Sequence, residues 1–95
     1  MNYNTGKWER KRSKILKKQG YMCQECKRYG KRIDANTAHH IYPAEDYTEY
    51  VWCDWNLISL CSTCHNSMHN RNDRSLTEKG ERLKLKTIPP PQTQL

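Results

Sequence analysis

Phenylalanine is absent from this chain, and hydrophobic residues of every kind make up only 35% of its 95 positions. A core built from so little apolar material is marginal by itself, and a structural metal is one way a short chain compensates. No apolar run approaches the length of a membrane span, so no membrane-spanning helix is expected. The opening Met1-Asn2-Tyr3-Asn4-Thr5-Gly6 has no apolar centre of a secretory leader, so a cytoplasmic setting is expected. Acidic residues are scarce: 10 Asp and Glu face 17 Lys and Arg, a formal charge of +7 with a pI near 9.3. That balance points to a polyanionic partner, with nucleic acid first among them.

Cysteine, by contrast, is plentiful, with five in the chain. In a reducing compartment a disulfide framework is disfavoured, and the spacing favours metal. Cys23 and Cys26 form one C-x-x-C pair, Cys61 and Cys64 another, and Cys53 is left over as a buried or bystander residue. Two such pairs make a tetrahedral four-thiolate zinc set. The 34 residues between the pairs exceed a simple zinc ribbon, so the insertion is where function is sought. No βαβ pattern surrounds either pair, which argues against redox chemistry.

The second pair opens Cys61-Ser62-Thr63-Cys64-His65-Asn66-Ser67-Met68-His69. Read as a turn entering a helix, this run has His65 and His69 four apart on one face. Cys64 and His65, neighbours about 100° apart on that helix, point different ways. One short helix is thus expected to hold a structural metal on one side and offer a second site on the other.

The remaining elements follow by pattern. Lys7 to Lys18 reads as a helix, with Thr5 as N-cap, Gly20 as the stop, and Trp8, Ile15 and Leu16 near one face. Its Arg10, Lys11, Lys14, Lys17 and Lys18 are candidate phosphate contacts; the alternative is a solvated face. Thr37 to Tyr42 reads as a strand stopped by Pro43. His39 and His40 then point to opposite faces, one towards a metal and the other towards water or phosphate. Glu45, Asp46 and Glu49 form an acidic loop, expected to be solvated, with a carboxylate at the metal as the minority reading. Trp52 or Trp55 is expected in the core. Asn56 to Leu60 is a second strand, with Asn56 making a turn hydrogen bond. A short helix starting at Thr77 is expected within Ser75–Lys86, weakened by Gly80, and Ile88-Pro89-Pro90-Pro91 begins an extended or disordered tail.

His39-His40, Asn56 and His65-x3-His69, framed by the two C-x-x-C pairs, resemble the HNH nuclease family over roughly Tyr21 to Asn70. The nine-residue step from Asn56 to His65 also resembles the colicin nuclease domains. The resemblance implies a small α+β fold: a zinc-stabilised ββα-metal (His-Me finger) domain over 1–88, with a flanking basic helix at about 7–18, a core at about 36–70 and a tail at 89–95. It implies an endonuclease that hydrolyses DNA phosphodiesters. His40 would be the general base, Asn56 its orienter, and His39, His65 and His69 the ligands of one catalytic divalent ion. Cys23, Cys26, Cys61 and Cys64 would hold the zinc. His39 stands where many relatives have Asp, and three neutral imidazoles favour Zn, Ni or Mn over Mg. The small basic members are often encoded beside phage packaging genes, which implies a bacterial or phage-infected cell and packaging proteins as partners. Two other readings stand beside this one. In the first, all Cys and His are structural in a non-catalytic DNA-binding module. In the second, Cys61, Cys64 and two histidines form a single C-C-H-H site.

Overall fold

In the computed structural model, residues 5–70, 72–73 and 75–89 are described. The expectation for most of the proline tail lies outside them, as do the first four residues, Arg71 and Arg74. The element order is α1 (Thr5–Lys18), α2 (Gln24–Arg28), β1 (Thr37–His40), β2 (Leu57–Leu60), α3 (Ser62–Asn66) and α4 (Glu78–Lys86), with 3-10 turns at Thr48–Tyr50 and Asp54–Asn56. This is the small mixed helix and strand domain expected.

The organising element is the antiparallel ribbon of β1 and β2, paired Thr37 to Leu60, Ala38 to Ser59, His39 to Ile58 and His40 to Leu57. Side chains alternate across a strand, and directly paired residues share a face. Ala38, His40, Leu57 and Ser59 therefore face one way, and His39, Ile58 and Leu60 the other. On the first face, Ile15 of α1 packs with Ala38 and Leu57, and Trp8 closes the cluster. On the second, Leu60 and Met68 pack with Cys23 and Cys64. Each cluster is only a few side chains deep, as the shortage of apolar residues required.

The ends of α1 and α2 follow one rule. Gly20 (φ 70°) and Tyr21 (φ 58°) turn left-handed after α1, so the Tyr21 and Gly20 N–H groups donate to the Leu16 and Lys17 carbonyls. Gly30 (φ 79°) ends α2 the same way, with Lys31 and Gly30 donating to Cys26 and Lys27. Both are helix stops that satisfy the last carbonyls. Gln19, at the end of α1, donates through Nε2 to the Leu57 carbonyl at 3.0 Å and accepts from the Ser59 N–H at 2.8 Å. The side-chain amide thereby caps the free edge of β2 like a fragment of a third strand.

Three expectations are corrected. Thr5 is the first residue of α1 and not its cap. Neither Trp52 nor Trp55 is in the core; both are half-buried, and Val51 between the turns is the buried side chain. Trp55 instead joins Tyr42, Tyr47 and Tyr50 in an aromatic cluster. β1 ends at His40, two residues short of Tyr42.

Thr77 does cap α4, its hydroxyl accepting from the Gly80 N–H at 3.2 Å. Gly80 is no defect. A Cβ there would lie 2.5 Å from the Met68 carbonyl oxygen and 2.9 Å from Leu76 Cδ2. The missing side chain lets α4 close on the segment after α3. Gly80→Ala should therefore destabilise: overpacking costs about 1–3 kcal/mol against about 1 kcal/mol of helix propensity regained. A thermal melt should show a midpoint several degrees below the parent's, and an unchanged or raised midpoint would contradict this packing.

Candidate metal centres

The four cysteines of the two pairs converge on one point. Their sulfur atoms all lie within 4.8 Å of one another. Cys26 Sγ is 3.9 Å from Cys61 Sγ and 3.6 Å from Cys64 Sγ. Tetrahedral zinc with bonds of about 2.3 Å needs sulfurs about 3.8 Å apart. The set fits a zinc ion, and Cys53 stands apart from it with its thiol on the Glu49 carbonyl. Burial pushes the Cys23 thiol up, but hydrogen bonds from the Cys26 and Cys61 N–H groups and from the Cys26 and Cys64 thiols together more than offset this and bring it from 9.0 to about 7. Burial first, then the neighbouring thiols, push Cys64 well above its ordinary value. The thiols cannot ionise together until a cation neutralises them, so metal uptake is coupled to proton release.

On the other side of α3, His39, His65 and His69 bring their ring nitrogens within the same 4.8 Å limit. Ring centroids are 5.3 Å for His39–His65, 5.2 Å for His39–His69 and 5.6 Å for His65–His69. His39 is 2% exposed, and its Nε2 is buried without a hydrogen-bond partner. A buried, orphaned ring nitrogen inside a ring of imidazoles is the mark of a ligand set. Burial foremost, then the charges of His65, His69 and His40, hold His39 at about 3. Burial and then His69 lower His65 as well. The neutral, metal-ready forms are therefore favoured at neutral pH. Among the described residues this cluster includes no carboxylate.

The helix itself is shorter than expected. It ends at Asn66, and Ser67 closes it by donating its hydroxyl to the Cys64 carbonyl. His69 lies beyond the end, in a β-bridge with Leu76. The histidines still meet, because the chain turns back through Thr77, whose N–H donates to the Met68 carbonyl and whose hydroxyl donates to the Ser67 carbonyl. Cys64 and His65 do belong to different clusters, so the geometry does not gather Cys61, Cys64 and two histidines at one point.

His40, facing the opposite side of β1, lines the same cavity as the histidine cluster. Its Nε2 lies 3.1 Å from the Val51 carbonyl oxygen. A carbonyl only accepts, so Nε2 carries the proton and the neutral ring keeps its lone pair on Nδ1. Burial lowers the His40 pKa, against the opposing pull of Val51. The loop that supplies Val51 is tied by Asn56, which is fully buried. Asn56 Oδ1 accepts from the Tyr42 N–H at 2.7 Å, and its Nδ2 donates to the Tyr42 and Tyr50 carbonyls at 3.2 Å each. Asn56→Ala would orphan these three backbone groups at about 1–3 kcal/mol for each one that stays dry. Chemical denaturation should show a loss of more than about 2 kcal/mol on that ground, and a variant as stable as the parent would contradict the tie.

The cavity also takes in residues that sequence reasoning did not connect with it. Lys84 and Glu81 of α4 line it, as does Asp73; Glu45 and Asp46, both exposed, line it too, from the acidic loop already weighed as a minority partner of the metal. Only the helix's return over α3 brings α4 there, and no local pattern signals that. On α1, Lys11 and Lys18 both pair with Asp54. Arg10, Lys14 and Lys17 stay exposed on the outer side, around a shallow hollow with Tyr21.

A two-stranded ribbon and a short helix enclosing clustered histidines, stapled by four cysteines, define a ββα-metal domain. The HNH endonuclease family model matches residues 23–71, which is 49 of the 95 residues, and the chain belongs to that family. A solved structure, that of an HNH endonuclease of the deep-sea thermophilic bacteriophage GVE2 with a manganese ion, is 39% identical with a TM-score of 0.60. The match covers 62% of this chain and 64% of that one. No curated protein matches.

Proposed function

We propose that the chain is a metal-dependent endonuclease that hydrolyses DNA phosphodiesters, with His40 as general base and His39, His65 and His69 as holders of one divalent ion. The observation that carries this is the buried, unpartnered Nε2 of His39 within reach of His65 and His69, beside a fourth histidine on the same cavity. Cys23, Cys26, Cys61 and Cys64 are taken as the structural zinc ligands, which leaves the histidines surplus to any purely structural role. When bound, the catalytic ion supplies charge relief to the phosphate and the leaving 3′ oxygen.

The protein's own part is proton management and orientation. His40 takes the proton of the attacking water at Nδ1, while its Nε2–H stays on Val51. Its lowered pKa keeps the accepting form populated at neutral pH. Asn56 acts through the loop as an orienter and touches neither water nor metal. Arg10, Lys14 and Lys17 suit the phosphate backbone, and Lys11 and Lys18 reach it only if they leave Asp54. Contacts of that kind carry little sequence preference.

The similar structure holds manganese and comes from a bacteriophage, which supports manganese as the working ion here and a phage setting; packaging proteins as partners rest on the family resemblance alone. Residues 1–88 are taken as one domain. No helix among the described residues is long and apolar enough to cross a membrane; the bacterial or phage-infected cytoplasm is taken as the setting on the family resemblance. Supercoiled plasmid incubated with the protein should become nicked or linear only when a divalent ion is added. Manganese should be more effective than magnesium, given three neutral nitrogen ligands. DNA that stays intact with Mn, Ni, Zn and Mg alike would refute the reading and leave a zinc-stapled DNA-binding module.

A further inference from the structure

We propose that Trp8 is a positioning residue for His40, so that the N-terminal helix, outside the segment matched by the family, aims the base. This inference rests on the reading of His40 given above. The indole of Trp8 stacks on the His40 imidazole, with ring centroids 5.1 Å apart and planes inclined by 20°. One bond at Nε2, to Val51, does not by itself stop the ring plane from pivoting. A flat aromatic face removes that pivot and fixes the direction of Nδ1.

The support behind Trp8 is continuous. Trp52 meets it edge-on at 6.1 Å, and the Lys7 amine sits 4.2 Å from the Trp52 ring centre. Ile15, Ala38 and Leu57 pack beneath it. Lys11 and Lys18 clamp α1 to Asp54, in the 3-10 turn that ends at Asn56. The two-residue period of β1 makes the arrangement necessary. Because His39 turns towards α3, His40 turns towards α1, where the Trp8 indole meets it.

The test compares Trp8→Leu, Trp8→Phe, His40→Ala and the double variant W8L/H40A on a DNA duplex with manganese. Trp8→Leu should lower kcat about 10–100-fold with KM within about threefold, the size of effect expected when a base is misdirected. Trp8→Phe, which keeps a ring face, should recover most of that loss. The double variant should be no slower than H40A, since Trp8 acts only through His40. A Trp8→Leu variant with parental kcat, a Trp8→Phe variant no better than Trp8→Leu, or a further loss on top of H40A would overturn the inference. Full activity in H40A would overturn the base assignment and this inference together, whereas an inactive H40A beside a fully active Trp8→Leu overturns this inference alone. Should Trp8→Leu not fold, the parent protein still decides. In its zinc-loaded form without manganese, the His40 ring protons should resonate upfield of those of His65 under the indole ring current. Ordinary shifts would refute the stack.

Discussion

Replacing His40 by alanine is expected to lower the rate of DNA cleavage about 10²- to 10⁴-fold, the range a positioned general base contributes, with the fold and metal sites intact. The reason is the division of labour across β1. His39 and His40 are consecutive, and the strand sends them to opposite faces, so His40 as the proposed base would not compete with His39, the proposed ligand, for the metal. The Val51 carbonyl fixes which nitrogen of His40 is protonated, and therefore which can accept. The pH profile follows by sign. The base works unprotonated, so activity rises with pH through its pKa and then levels. Burial lowers that pKa below 6.5, so the acid limb should have its midpoint below 6.5. In His40→Ala that base is gone, and the residual rate should follow hydroxide instead. A variant that cuts like the parent would show that another group takes the proton.

Cys64→Ser, or removal of zinc by a strong chelator, is expected to abolish cooperative folding outright. Structural zinc in finger peptides contributes about 10–16 kcal/mol, against a total stability of about 5–15 kcal/mol for an ordinary domain. This chain has little to fall back on. Cys23 and Cys64 are themselves half of the second core cluster, whose other fully buried members are Leu60 and Met68. The same loss releases both the chain after β2 and the α2 corner, so His65 and His69 lose their placement as well. Far-UV circular dichroism and a zinc assay should show one ion lost together with helix and activity. Cys53→Ser serves as the contrast, because its thiol donates to the Glu49 carbonyl, away from the cluster. It should keep zinc, fold and cleavage. A folded, active Cys64→Ser protein would contradict the zinc assignment.

Much of this arrangement was legible before any coordinates, and for reasons that can be stated. The C-x-x-C spacing imposes a shared metal irrespective of the fold, so the four-cysteine cluster followed from sequence. The period of two placed His39 and His40 on opposite faces, and the 100° step placed Cys64 and His65 on different clusters. What local pattern could not supply were long-range contacts. Four-residue spacing put His69 on a helix that in fact ends at Asn66, because tertiary bonds from Thr77 shape the last turn. Gly80 read as a weakness in α4, yet the close approach to Met68 requires it. The partnership of Lys11 and Lys18 with Asp54 spans 43 and 36 residues, and no charge count reveals it. Trp52 or Trp55 read as core, but the ribbon's faces were already filled by α1 and the cysteines.

The claim on which these expectations stand is that α3 divides two ions, one for folding and one for cutting. Anomalous diffraction at the zinc and manganese edges, from a crystal grown with zinc and soaked in manganese, tests it directly. The account predicts a zinc peak among Cys23, Cys26, Cys61 and Cys64, and a separate manganese peak bonded to His39, His65 and His69. Manganese density elsewhere on the protein, with those three histidines bare, would contradict it.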